Sequence, residues 1–240
     1  MRMWCLMNIS RKYTGFTVMA FIILLIFSTF FSQKHYLTIS FIMLIITMSP
    51  FFIVFEKKEL KAEEMIIISM LSAIASIGRI PFAAIPSVQP TSFVIIMSGL
   101  SFGGNTGFMV GSTAALVSNI ILGQGPWTPW QMFSWGMMGF TASLFKNIKF
   151  MNNIIGRSIF GALWGFIFGW IMNLWGVLYL DSSTLTWKVY LASCIASFKF
   201  DLNHAISNVV FISLFSNRWI KILDRVKIKY GLMKSGKEIF

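Results

Sequence analysis

N-I-I-L-G-Q-G-P-W-T-P-W-Q, residues Asn119 to Gln131, is the stretch around which this chain is organised. It lies between two strongly apolar runs and holds two prolines, two glycines, two glutamines, two tryptophans and an asparagine. The Gly-Pro and Thr-Pro steps break helices, because proline lacks an N–H and restricts the residue before it. Gly123 and Gly125 let the backbone turn sharply and approach other groups closely. Between two membrane helices such a segment cannot face lipid, since its backbone polar groups would go unsatisfied. It belongs at the water interface or along a cavity. Trp127 and Trp130, taken singly, suit the interfacial belt of a membrane protein as well as a binding site. Their combination with Asn119, Gln124 and Gln131 points to a substrate-facing loop.

Working outward, the 240 residues are 56% apolar and 12% charged, with 25 phenylalanines. That is the composition of an integral membrane protein. The net charge of +12 would suit nucleic acid, but the basic residues gather at the chain ends and between apolar runs, as in cytoplasmic loops. No soluble basic face with interleaved aromatics is present, so nucleic acid is not expected as a partner. Cys5 and Cys194 are far apart, and neither a disulfide nor a metal site is expected. The first apolar run follows Arg11 and Lys12 with no small-residue cleavage site behind it, so it is expected to be retained as a helix.

Eight apolar runs are expected to be helical: Thr14–Ser32, Tyr36–Phe55, Glu64–Ile80, Thr91–Phe102, Thr106–Leu122, Trp130–Phe145, Ser158–Leu180 and Tyr190–Phe215. The fourth is too short to cross a bilayer unaided. The charged segment Glu56 to Glu64 reads as a solvated loop between two hairpins. Eight spans place both termini, the Lys146–Arg157 connection and the basic tail from Arg218 on one side, the cytoplasm. The proline-rich loops 79–90 and 123–129 then fall on the outer face. The expected organisation is an N-terminal hairpin and charged loop over 1–63, a membrane core over 64–216 and a basic tail over 217–240.

Three groups of residues are candidates for chemistry or contact. Lys199, Asp201, Asn203, His204 and Asn208 lie inside the eighth apolar run, where polar groups are costly and mark either internal pairing or function. Helical spacing puts Asp201 beside His204 and Lys199 beside Asn203. Arg79 ends the third run; it either snorkels to the interface or binds an anionic or carbonyl group of a substrate. Ser69, Ser72, Ala73 and Ser76 give the third run small faces that suit internal packing or docking to another membrane protein. The chain has no G-x-S-x-G, H-E-x-x-H or Walker loop, and Glu63-Glu64 lacks the arginine that an intramembrane protease would place after it. Uphill transport therefore needs a partner to supply the work. An intramembrane enzyme using Asp201 and His204, or an assembly protein without a ligand, are the readings from other classes.

R-I-P-F-A-A-I-P-S-V-Q-P-T (79–91), S-F-G-G-N-T-G-F-M-V-G-S-T-A-A-L-V-S-N (101–119) and G-Q-G-P-W-T-P-W-Q-M (123–132) resemble the substrate-binding S components of energy-coupling factor (ECF) vitamin transporters. The resemblance covers roughly residues 64 to 216 and implies an all-α membrane protein, a six-helix core with the N-terminal hairpin added to it. It implies a receptor, not an enzyme, that takes a micronutrient at the outer face of the bacterial cell membrane. It also implies association with a transmembrane coupling subunit and two cytoplasmic ATPases, which use the ATP; the chain itself binds no cofactor or metal. Carried over residue by residue, the ligand loops are Arg79 to Thr91, with Arg79 and Gln89, and Gly123 to Trp130, with Gln124, Trp127 and Trp130. Asn119 and Gln131 flank the second loop, and Asn203 and His204 lie on the polar face of the last helix. The docking surface would be Ser69 and Ala73, with Ser72 and Ser76 nearby. The G-Q-G-P-W-T-P-W-Q string resembles a subgroup for cobalamin or related corrinoids, with Trp127, Trp130 and Trp135 lining a wide cavity; a queuosine-type precursor or another vitamin is the alternative ligand.

Overall fold

Glycine and proline cut the apolar sequence into helices at the points where the backbone has to turn. The structure is a computed structural model that describes residues 36–57, 62–180 and 186–232. Seven α-helices occupy the described residues: α1 (Tyr36–Lys57), α2 (Ala62–Ile77), α3 (Thr91–Phe102), α4 (Gly104–Leu122), α5 (Thr128–Phe145), α6 (Ile154–Leu180) and α7 (Trp187–Lys229), with short 3-10 turns at Ile80–Phe82 and Lys149–Asn152. No strand is found among the described residues. The expected run Thr14–Ser32 lies outside them. Gly103 at φ 99° separates α3 from α4, and Gly123 at φ 112° ends α4. Both are backbone conformations open to glycine and strained for other residues.

The helices pair as two antiparallel hairpins, α4 with α5 and α6 with α7, and α3 is wedged between them with α2 outside α4. Small residues set these distances, since helices in a membrane gain by close packing rather than by hydrophobic collapse. A Cβ on Gly107 would stand 2.6 Å from the carbonyl oxygen of Gly139, and Gly99 of α3 presses on the same Gly139 backbone. Three helices therefore meet at Gly99, Gly107 and Gly139. In the second hairpin Gly161, Gly165 and Gly169 of α6 face Ile212, Ala205 and Asp201 of α7 in turn.

Three segments, Ala62–Phe82, Gly104–Leu122 and Ile154–Tyr179, are long and apolar enough to cross a membrane, and Thr91–Phe102 is a shorter apolar helix. The described residues are thus all-helical and consistent with a membrane-embedded protein, and three spans among them meet that criterion. Two differences from the sequence expectation stand out, at the start of α2 and at the end of α7. Glu64, expected in a solvated loop, is buried in the first turn of α2, which starts at Ala62. Helix α3 has the expected limits and is buried along nearly its whole length, so it serves as an internal wedge. Helix α7 does not stop at Phe215. It continues to Lys229, because residues 216–229 contain neither proline nor glycine and lysine and arginine are good helix formers. The position expected as the start of a tail, 217, lies inside this helix.

The triple glycine contact carries a stability prediction. Gly139→Val should lower the melting temperature in detergent sharply, by the equivalent of about 3 kcal/mol or more, through overpacking against rigid backbone. Gly176→Ala, where no atom lies within 4 Å of the added Cβ, should leave melting unchanged, as followed by intrinsic tryptophan fluorescence on heating.

Candidate functional site

The two proline-rich loops meet at one end of the bundle, and the side chain that joins them is an arginine. Arg79 follows α2, just before the 3-10 turn. Its Nε donates to Gln89 Oε1 at 3.1 Å. Its Nη1 donates to Ser118 Oγ at 2.5 Å and to Asn119 Oδ1 at 2.8 Å. The guanidinium carbon lies 4.9 Å from the centre of the Trp135 ring, a cation–π distance. Arg79 is therefore held by its own loop, by the end of α4 and by α5 together. The interface-snorkelling alternative does not describe it, since its head turns inward onto partners.

Asn119 is the second node. It is 2% exposed, and its carboxamide nitrogen donates to Gln131 Oε1 at 2.7 Å and Thr128 Oγ1 at 3.1 Å. Thr128 in turn donates to Gln124 Oε1 at 2.9 Å, and Gln124 Nε2 donates to the carbonyl of Leu116 at 2.8 Å. Gln124 is exposed and shapes the loop by folding back onto α4. The loop closes as a tight turn, with Thr128 N bonded to Gly125 O at 2.9 Å. The Trp127 ring lies over Gly125, where a Cβ would collide with it.

An aromatic wall continues from Arg79. Trp135 stacks on Phe168 of α6 with ring centres 5.4 Å apart, and Phe168 meets the His204 ring edge-on at 5.1 Å. Trp127 meets Trp175 edge-on at 5.8 Å, and Trp175 stacks on Tyr179 at 5.4 Å. Trp130 and Trp135 are buried, and the indole nitrogens of Trp130, Trp135 and Trp175 have no hydrogen-bond partner. On α7, His204 is 2% exposed, and its Nε2 lies 2.7 Å from Ser92 Oγ. Asn203 reaches the carbonyl of Pro86 at 3.4 Å, and Ser207 exchanges hydrogen bonds with the backbone of Gln89, accepting from its N–H at 3.0 Å and donating to its carbonyl at 3.2 Å. Helix α7 thus latches the 79–90 loop.

The structure brings Arg79, Gln89, Asn119 and Gln131 into one hydrogen-bonded network, with Gln124 attached through Thr128. Trp127 joins its aromatic side through Trp175, Trp130 is buried in α5, Asn203 holds the first loop from α7, and His204 bonds Ser92 of α3. Asp201 and His204 are not bonded to each other. Asp201 Oδ2 accepts from Ser197 at 3.1 Å, and Ser197 accepts from Asn173 at 2.7 Å. Lys199 is exposed and stands apart from this group. The four small residues of α2 divide: Ser69 and Ala73 are exposed, whereas Ser72 and Ser76 are buried. Ser76 Oγ bonds the carbonyls of Ser72 at 2.7 Å and Ala114 at 3.3 Å, so that pair packs inward against α4. Ser92, Ser118, Thr128, Ser207, Phe168 and Trp175 belong to the site without having been singled out from sequence. Ser118 and Thr128 adjoin or lie within the quoted stretch, which was the available signal. Phe168 and Trp175 had none, being two aromatics among many in an apolar helix. Among the described residues, no group of three or more His, Cys, Asp or Glu could hold a metal ion.

The family model described as ECF transporter, substrate-specific component, matches residues 63–223. Two proteins of Aliivibrio fischeri, from strain MJ11 and strain ATCC 700601 / ES114, are each named a UPF0397 protein. Each is 27% identical to this chain over 153 residues, which are 57% of this chain and 80% of the relative. No solved structure matches the chain.

The network makes its own prediction. Asn119→Ala strips a buried acceptor from Arg79 and a donor from Gln131 and Thr128, so it should cost about 2 to 3 kcal/mol in thermal unfolding. Gln124→Ala, at an exposed position, should cost less than about 1 kcal/mol by the same measurement.

Proposed function

The chain belongs to the family of substrate-specific components of ECF transporters, and on that premise we propose that it captures a corrinoid, cobalamin in the first place, at the end of the bundle where its two proline-rich loops meet. It is a membrane-embedded transporter subunit, and the family is not an enzyme family. The observation that carries the ligand reading is the joining of Arg79, Gln89, Asn119 and Gln131 beside an aromatic wall of Trp135, Phe168 and Trp175. A few convergent polar groups on a mainly aromatic surface suit a large, flat, amide-bearing ligand. The G-Q-G-P-W-T-P-W-Q string supports the same choice. A queuosine-type precursor is the second ligand reading, because stacked indoles serve any planar ring.

In this proposal helices α2 to α7 form the six-helix core, and the chain before them adds a hairpin, giving eight helices with both termini in the cytoplasm of a bacterial cell. The subunit docks to a transmembrane coupling subunit through the exposed Ser69–Ala73 face of α2, while Ser72 and Ser76 serve packing. Two ATPases on that partner hydrolyse the ATP, and the subunit binds no cofactor of its own. The enzyme reading through Asp201 and His204 loses its support, since each takes a separate serine.

Calorimetric titration of the detergent-purified protein with cobalamin and with cobinamide, its precursor corrinoid, tests the ligand. Saturable binding is expected, weakened about tenfold or more by Trp127→Ala, since losing one aromatic contact of this kind costs on the order of 1 to 2 kcal/mol. Absence of heat with both corrinoids from folded protein would sink the corrinoid assignment and turn the search to queuosine-type bases.

A further inference from the structure

We propose that the ligand carries an oxyanion and that Arg79, backed by Trp135, is its receptor; in a corrinoid this is the phosphodiester of the nucleotide loop. The proposal rests on the receptor reading above and specifies the charge of what is received.

Arg79 is a half-buried cation whose acceptors are all neutral: the amide oxygens of Gln89 and Asn119 and the hydroxyl of Ser118. Among the described residues no carboxylate is paired with it. Asp201, the buried carboxylate of α7, is bonded to Ser197 instead. Neutral dipoles restore only part of the solvation that a guanidinium loses on burial, so a full positive charge stands open to an anion. The donor count leads to the same place. Nε and Nη1 are engaged, and Nη2 has no hydrogen-bond partner among the described residues. The buried indole N–H of Trp135, whose ring Arg79 covers, finds no acceptor either. The site therefore has donors in surplus and one uncompensated charge, and the missing component is an acceptor-rich anion.

Geometry adds direction. Trp135 covers one face of the guanidinium at 4.9 Å. Gln89, Ser118 and Asn119, from three different points of the chain, fix two edges. Nη2 remains, and its N–H groups can each donate to an oxygen of a phosphodiester or carboxylate. The same arrangement rejects cationic micronutrients, which would bring like charge to an already uncompensated arginine.

Cobalamin and cobinamide share the corrin ring, and only cobalamin carries the nucleotide loop with its phosphodiester, so the comparison of Arg79 variants across the pair isolates the anion. Calorimetry on wild type, Arg79→Gln and Arg79→Lys, each verified as folded by elution and unliganded melting temperature, is the test. Wild type should bind cobalamin about tenfold or more tightly than cobinamide, in line with a charge-assisted hydrogen-bonded pair. Arg79→Gln should weaken cobalamin more than cobinamide and so shrink that preference, and Arg79→Lys should keep more of it. Equal affinities in wild type, or a preference that survives Arg79→Gln undiminished, would overturn the oxyanion receptor and leave the corrinoid reading intact. If neither corrinoid binds, that reading falls and dimethyl phosphate decides the inference alone. Thermal stabilisation of wild type and not of Arg79→Gln by dimethyl phosphate supports it, and no stabilisation of either overturns it.

Discussion

The polarity of one side chain sets the direction of a whole row of hydrogen bonds. An arginine can only donate, so the oxygen of the Asn119 carboxamide has to face Arg79. That orientation turns the Asn119 nitrogen toward Gln131 and Thr128. Thr128, having accepted, donates onward to Gln124 Oε1, and Gln124 donates to the carbonyl of Leu116. Every link runs from donor to acceptor in one sense, away from the cation. Such aligned chains polarise their members and strengthen one another in a low-dielectric setting. The loop between α4 and α5 takes its shape from this row, because the sharp turn after Gly123 offers few backbone hydrogen bonds of its own.

The latch between α7 and the first loop depends on the same logic. Ser207 both accepts from and donates to the Gln89 backbone, while the Gln89 side chain accepts from Arg79. Backbone and side chain of one residue thus tie α7 to the Arg79 network. His204 joins through Ser92 and Phe168. Polar groups inside a membrane protein have to find partners within it, and here those partners connect elements distant in sequence rather than neighbours on one helix.

This is also where the sequence stopped being legible. The turns were readable because proline and glycine act locally, and α3 has the very limits that its flanking signals indicate. Asn119, Gln124 and Gln131 were readable as a group, because polar side chains beside glycine and proline in a membrane chain have few other uses, whereas Arg79 was readable only as a separate candidate at the end of its own helix. The serines were not. Ser98 bonds the carbonyl one turn back in its own helix, whereas Ser92 and Ser207 reach across to another element, and nothing in an apolar run distinguishes the two. The small stripe of α2 was ambiguous for a related reason. Positions 69 and 73 share one face and positions 72 and 76 the next, so only the position of α4 decides which pair is covered. Asp201 beside His204 was a sound helical adjacency that other partners overrode: Asp201 takes Ser197, one turn back on α7 and itself engaged by Asn173 of α6, while His204 takes Ser92 of α3 and packs on Phe168 of α6.

The two long helices of the second hairpin differ mechanically. Helix α6 contains Gly156, Gly161, Gly165, Gly169 and Gly176 and can bend between them, whereas α7 runs 43 residues without a glycine or proline. At the standard rise its length is about 64 Å, roughly twice the hydrocarbon thickness of a bilayer. A rod of that kind has no hinge. The Gly161–Gly169 contact grips it between Asp201 and Ile212, the same segment whose Asn203 and Ser207 hold the first loop, so everything beyond Ile212 follows that grip as one stiff arm. Any change of tilt at that grip is carried to Arg225 and Lys229 by stiffness alone.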